Sequence, residues 1–107
     1  MRKQLVILSG EIRTPPFSRE ARLEAGYLLG CLQEGVTLSM PQAKPMPSIG
    51  PHCLELRIKD EQASWRILCR IDDDAILMMH VFSKKTQATP KSVLDLCRSR
   101  LRQYDAL

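Results

Sequence analysis

Apolar and polar residues alternate most cleanly between Leu54 and Ile71. Leu54-Glu55-Leu56-Arg57-Ile58-Lys59 runs apolar then polar without a break, the period of a strand with one buried face. Trp65-Arg66-Ile67-Leu68-Cys69-Arg70-Ile71 repeats the pattern, with Trp65, Ile67, Cys69 and Ile71 on one side. Ala75 to Phe82 is nearly all apolar, which predicts a mid-sheet strand covered on both faces. Asp60 to Ser64 and Asp72-Asp73-Asp74 read as the turns between these strands. Leu5-Val6-Ile7-Leu8 predicts a further short strand near the start.

Two segments carry the helical period instead. Ser18 is placed to cap a helix that runs to about Glu34, with Gly35 as its stop. Ala21, Ala25, Leu28, Leu29 and Leu32 form its apolar face. Gly26 and Gly30 fall inside it and cost about 1 kcal/mol each relative to Ala, so close packing against a neighbour is expected there. Thr89 and Pro90 predict the cap and first position of a last helix over 90–104, buried along Val93, Cys97, Leu101 and Tyr104. Between the first helix and the alternating strands, Pro45, Pro47 and Pro51 exclude helix and central strand and predict a rigid surface loop. The whole is an α+β chain: an N-terminal strand and helix, an antiparallel sheet with strands near 5–8, 54–59, 65–71 and 75–82, and a C-terminal helix.

At 107 residues this is one domain, 1–107, and its 44% hydrophobic and 26% charged content is that of a globular chain. Cys31, Cys53, Cys69 and Cys97 have no paired or zinc-type spacing, and Cys31, Cys69 and Cys97 sit in apolar patterns, as buried free thiols do. The apolar run at the N-terminus is too short for a signal peptide or membrane span, so a cytoplasmic location is expected. Net charge is +4, and its distribution is uneven: Lys84, Lys85, Lys91, Arg98, Arg100 and Arg102 face one acid, Asp95. Such an end attracts a polyanion, nucleic acid first; a solvated helix face is the plainer alternative.

Residues opposed across paired strands share a face. Burying Leu56, Ile58, Trp65 and Ile67 therefore puts Arg57, Lys59 and Arg66 on the other side. If the acidic turn has three residues, Ile71 pairs with Ala75 and His80 falls opposite Arg66. Arg57, Lys59, Arg66, Arg70 and His80 then share one face; a two-residue turn would move His80 away. Like charges opposed on a sheet are destabilising unless an anion lies among them. That anion is either a bound phosphate or one of Glu20, Glu24 and Glu55. Lys44, in the proline-rich loop, could face a phosphate beside the site. No Gly-rich phosphate loop, GxSxG motif or zinc-type histidine spacing is present, so neither a metal nor an organic cofactor is expected.

Several motifs together resemble a known family. These are Lys44-Pro45-Met46-Pro47-Ser48-Ile49-Gly50, Glu55-Leu56-Arg57, Trp65-Arg66-Ile67, and His80-Val81-Phe82-Ser83-Lys84-Lys85-Thr86-Gln87 followed by Thr89-Pro90. They resemble the phage-derived branch of RelE/HigB-like toxins, over about Leu23 to Tyr104. Many relatives carry an aromatic residue at the place of Cys69, which the alternation assigns to the core.

The resemblance implies an α+β toxin of a type II toxin–antitoxin pair. Such a toxin is an mRNA interferase, an endoribonuclease that cuts mRNA on the ribosome and is silenced by a small antitoxin, here expected to be of helix-turn-helix type. Its chemistry uses the RNA 2′-hydroxyl as nucleophile, without a metal. Arg57 and Arg66 would meet the phosphate, His80 would be acid or base, and Lys84 or Lys85 would bind the backbone or transfer a proton. Lys44, Lys59, Arg70, Arg98 and Arg102 complete the expected RNA-binding set, and Tyr104 is a candidate for base stacking. The alternative is an RNA- or protein-binding module of the same fold without nuclease activity.

Overall fold

The computed structural model describes residues 2–8, 16–61, 63–84 and 88–107. The chain order is β1 (Gln4–Ile7), α1 (Arg19–Gln33), β2 (Ala43–Pro45), β3 (Cys53–Lys59), β4 (Ser64–Ile71), β5 (Ala75–Ser83) and α2 (Lys91–Asp105). The five strands form one sheet in the order β1-β5-β4-β3-β2.

The sheet is mixed, whereas the sequence suggested an antiparallel one. β2 to β5 pair antiparallel, but β1 lies parallel to β5, with Leu5 opposite Ile76 and Ile7 opposite Met78. A parallel neighbour needs a crossover, and the chain from α1 through β4 supplies it. β2 is a three-residue strand inside the proline-rich connection. It sits at the sheet edge, where Pro45 removes no ladder bond from a central strand.

Each sheet face is covered by one helix. The alternation of β3 and β4 sends Leu56, Ile58, Ile67 and Cys69 under α1, where they meet Ala21, Ala25, Leu28, Leu29 and Leu32. The opposite face carries Leu68, Leu77 and Met79 beneath Cys97 and Leu101 of α2. β5 contributes to both layers, which explains its nearly unbroken apolar run. Burial pushes the Cys69 thiol up to about 12 and those of Cys53 and Cys97 up to about 11. Cys31 is only half-buried, unlike the other three thiols.

Ser18 caps α1 as its spacing suggested: its Oγ accepts from the Ala21 amide at 3.1 Å. Asp60 ties this helix start to the β3–β4 turn. Its Oδ2 accepts from the Ser18 amide at 2.9 Å and from the Trp65 indole at 3.2 Å, and the Trp65 ring stands edge-on to Phe17. The packing expected at Gly26 is not found among the described residues: a Cβ there would meet none of them within 4 Å, and one at Gly30 would meet the Arg2 guanidinium at 3.8 Å. Thr89 does not cap α2. Pro90 occupies the cap position without a side-chain hydrogen bond, and the Thr89 hydroxyl is used elsewhere.

The acidic turn is tighter than the three-residue connection and has Asp73 and Asp74 at its tip. Ile71 pairs with Ile76, and the Asp72 amide donates to the Ala75 carbonyl at 2.8 Å. That alone would send His80 to the α1 face. A bulge at Leu68/Cys69 adds one further residue on β5 and restores the parity. His80 therefore opposes Leu68, not Arg66, yet stays on the face of Arg66, whose own partner is Phe82.

Candidate functional site

One carboxylate organises the cationic side of the sheet. Cross-strand pairing places Lys44, Glu55, Leu68 and His80 in a row over four strands. The next row is Arg57, Arg66 and Phe82. Glu55 has no exposed surface and is the only charged residue among the described residues that is fully buried.

Three cations converge on it. Arg66 Nε stands 3.2 Å and Arg57 Nε 3.5 Å from Glu55 Oε1, and Lys84 Nζ stands 3.6 Å from Oε2. The Thr89 hydroxyl donates to Oε2 at 3.1 Å, which brings the start of α2 against the cluster. One negative charge thus faces three positive ones, and the site keeps a positive surplus. Burying a carboxylate without partners would cost many kcal/mol, and these neighbours supply the compensating positive charge.

The cluster is electrostatically paired but incompletely hydrogen-bonded. Glu55 Oε1, Arg57 Nε and Arg66 Nε are buried without a hydrogen-bond partner among the described residues. Arg66 is fixed from its other side: Nη1 donates to Ser64 Oγ at 2.6 Å and to the Trp65 carbonyl at 3.1 Å. Burial lowers the Arg66 pKa and neighbouring Arg57 lowers it further, while Glu55 opposes both. Lys84 is almost wholly buried, its side chain 5% exposed, rather than a solvated strand end; Arg57 is the most open of the three at 27%.

Arg57 and Arg66 also form one side of a cleft of about 650 Å³. Lys59 and Ser64 also line it, and Glu20 and Glu24 of α1, with Pro41 and Gln42, complete the lining. Lys59 is exposed at the end of β3 and Lys44 is exposed on the edge strand β2.

The remaining expected residues lie apart from this cluster. His80 stands two strands from Glu55, about 10 Å away, with the fully buried Leu68 between them. Burial, and then the Arg100 guanidinium, pushes its pKa below the ordinary value. Arg100 Nη1 approaches His80 Nδ1 at 3.4 Å and also donates to the Met79 carbonyl, while Phe82 stacks on the ring at 5.7 Å. The result is a neutral imidazole on the sheet face.

Arg70 is committed to the protein. It donates to both oxygens of Asp72, at 2.8 and 3.1 Å, and to both oxygens of Asp105, at 2.9 and 2.7 Å. Those hydrogen bonds raise its pKa, Asp105 most. Arg98 donates to the Ser48 carbonyl and to Asp95 Oδ1, which fastens α2 to the proline-rich loop. Arg102 is exposed and lines a smaller cavity of about 300 Å³ together with Arg70 and Arg98. Tyr104 packs on the α2 side of the core. Lys85 lies outside the described residues.

Of the three acids that the sequence offers as partners for Arg57 and Arg66, Glu55 is the one they pair with, although it is not among the expected site residues. Its signal was the alternation, which puts it on the face of Arg57, together with the Glu55-Leu56-Arg57 motif. Among the described residues no group of three or more His, Cys, Asp and Glu could hold a metal ion. No described helix is long and apolar enough to cross a membrane.

Residues 16–102 match the model of a family described as phage derived protein Gp49-like (DUF891). No curated protein and no solved structure matches the chain.

Proposed function

We propose that this chain, which belongs to the phage-derived Gp49-like family, is the toxin of a toxin–antitoxin pair and cuts mRNA as a ribosome-dependent endoribonuclease. The observation that carries the reading is the convergence of Arg57, Arg66 and Lys84 on the buried Glu55. A phosphodiester under attack by its own 2′-hydroxyl passes through a crowded, more highly charged phosphorus centre. Preorganised cations that do not move during the reaction stabilise that charge most effectively. Glu55 supplies this order by holding two guanidinium groups and an ammonium from different chain segments in one place.

In the proposed reaction the 2′-oxygen bonds to phosphorus while the bond to the 5′-oxygen breaks. Arg57 and Arg66 neutralise the phosphoryl oxygens, and Arg57, the more open of the two, makes first contact. Lys84, as an ammonium, gives its proton to the departing 5′-oxygen. His80, a neutral ring, takes the proton of the 2′-hydroxyl. Lys44 and Lys59 extend the cationic track on the same sheet face, with Lys85, Arg98 and Arg102 as outer RNA contacts. The partners this implies are the translating ribosome with its mRNA and a small antitoxin of helix-turn-helix type, in the cytoplasm and with no metal in the reaction.

A second reading, an RNA-binding module without nuclease activity, draws on a specific observation: Arg100 points at His80 Nδ1 and Leu68 separates the ring from Glu55. His80→Gln separates the two. A nuclease loses cleavage and keeps RNA affinity, whereas a binding module is unchanged in both. The primary test is induced expression in a bacterium. The expected result is growth arrest, relieved by Arg66→Ala or Lys84→Ala at equal soluble protein. Unimpaired growth with abundant soluble wild-type chain sinks the toxin reading.

A further inference from the structure

The cleft beside the cluster is lined by groups of both charges, with Pro41 and Gln42 completing the lining. Arg57, Arg66, Lys59 and Ser64 offer cationic and hydroxyl groups from the sheet, and Glu20 and Glu24 offer carboxylates from α1. The two glutamates are four residues apart and so project from the same side of the helix. Both are exposed, and neither makes an ion pair or hydrogen bond among the described residues. The volume, about 650 Å³, is that of a small-molecule site and exceeds what a bare phosphate fills.

A wall of acids would be a poor choice if the cleft held only phosphate, because it weakens the field of the arginines. It is a good choice for a ligand with an anionic end and a hydrogen-bond-donating end. A nucleotide is such a ligand. Single-stranded RNA is read by splaying a base and bonding its Watson–Crick edge. Guanine presents adjacent N1–H and N2–H donors on that edge, which one carboxylate accepts together. Cytosine and adenine offer an amino group alone, and uracil sets one N–H between two carbonyl oxygens that a carboxylate repels.

We infer that Glu20 and Glu24 form a base-reading wall that selects a guanine whose phosphate lies on Arg57 and Arg66. The inference rests on the RNA reading above and assigns to that site a specificity it did not include. The carboxylates contribute to choice rather than to affinity, since they oppose the phosphate field while rewarding the correct base.

The test uses the full chain, purified, with fluorescent single-stranded RNA hexamers that differ in one central nucleotide. One set carries guanine in an otherwise uridine strand; the control is uridine throughout. The wild-type chain is expected to favour the guanine strand on the order of tenfold, the discrimination of one good two-pronged contact. In Glu20→Gln/Glu24→Gln the preference falls below about twofold, while affinity for the all-uridine strand rises because two negative charges are gone. Both sites are exposed helix positions, and circular dichroism checks that the fold is kept. Equal wild-type affinity for the two strands overturns the base-reading wall and leaves the phosphate site standing. A preference that survives the double substitution overturns it as well. Absence of binding to either strand overturns the base-reading wall, while induced expression decides the nuclease reading separately; Arg66→Ala is expected to weaken binding of both strands equally through the lost phosphate contact.

Discussion

Arg66 Nε stands 3.2 Å from Glu55 Oε1, and the carboxylate it meets has no exposed surface. A buried charge of this kind is strongly coupled to its partners. Glu55→Ala leaves Arg57, Arg66 and Lys84 facing one another with no anion among them, and should destabilise the chain by about 3–5 kcal/mol. Urea unfolding at neutral pH measures it. A loss below about 1 kcal/mol would show that solvent, not Glu55, balances these cations. Arg66→Ala should cost much less in the Glu55→Ala background than alone, a coupling that a double-mutant cycle reads directly.

His80 is a neutral ring because burial, and then Arg100, disfavours its charged form. An NMR titration of the folded chain should find its midpoint below about 6.5, the unperturbed value. Arg100→Ala should move it upward part of the way, since burial remains. The stability carried by the neutral ring is full above the unfolded pKa and is lost as pH falls through the lower folded one. A midpoint at or above the unperturbed value would contradict the packing around the ring.

Asp60 gives a separate acid response. The Ser18 amide first, then the Glu61 amide and the Trp65 indole, hold its carboxyl down at about 2. The folded chain therefore binds this proton more weakly than the unfolded one. Its contribution is full above pH ~4 and disappears as pH falls toward ~2. Asp60→Asn should flatten that part of the acid unfolding curve and increase amide exchange at the start of α1. An unchanged curve would mean the junction of α1 and the β3–β4 turn does not depend on this carboxylate.

How far the sequence showed these relationships depended on which face was buried. β3 and β4 each have one face under α1, so Leu56, Ile58, Ile67 and Cys69 alternate and the strands are plain to read. β5 is covered on both sides, and its even apolar run carries no mark of the bulge at Leu68/Cys69 or of the two-residue tip of the acidic turn. His80 reached the expected face through two departures from the expected register that offset each other. The parallel pairing of β1 with β5 joins residues about seventy apart, such as Gln4 and Ala75, and has no local signature. Thr89 has the composition of a helix cap, but a tertiary partner, Glu55, takes its hydroxyl. Alternation marked Glu55 as one candidate partner of Arg57 and Arg66, and it is the acid they meet, but gave no sign that Lys84 would join them. Lys84, which as a dilysine resembles a solvated strand end, is buried for the same reason.

Arg70 shares the sheet face with Arg57 and Arg66, yet its donors are filled by Asp72 and Asp105. Its expected role is to fasten the end of α2 to β4. Arg70→Ala should speed amide exchange over the last turn of α2 while leaving the salt dependence of RNA binding unchanged. Arg57→Ala should instead reduce that slope by about one phosphate contact. If Arg70→Ala flattens the slope to the same extent, its contacts to the aspartates do not hold against RNA.

Under the proposed function, the cations around Glu55 carry cleavage of RNA by its own 2′-hydroxyl. The most direct measurement is the chemistry and number of mRNA ends after induction of the wild-type chain and of Arg66→Ala at equal soluble protein. The prediction is new 5′-hydroxyl ends paired with 2′,3′-cyclic phosphates in translated messages, at least ~100-fold fewer with Arg66→Ala. No new ends, ends bearing 5′-phosphates, or equal numbers from the two proteins would contradict it.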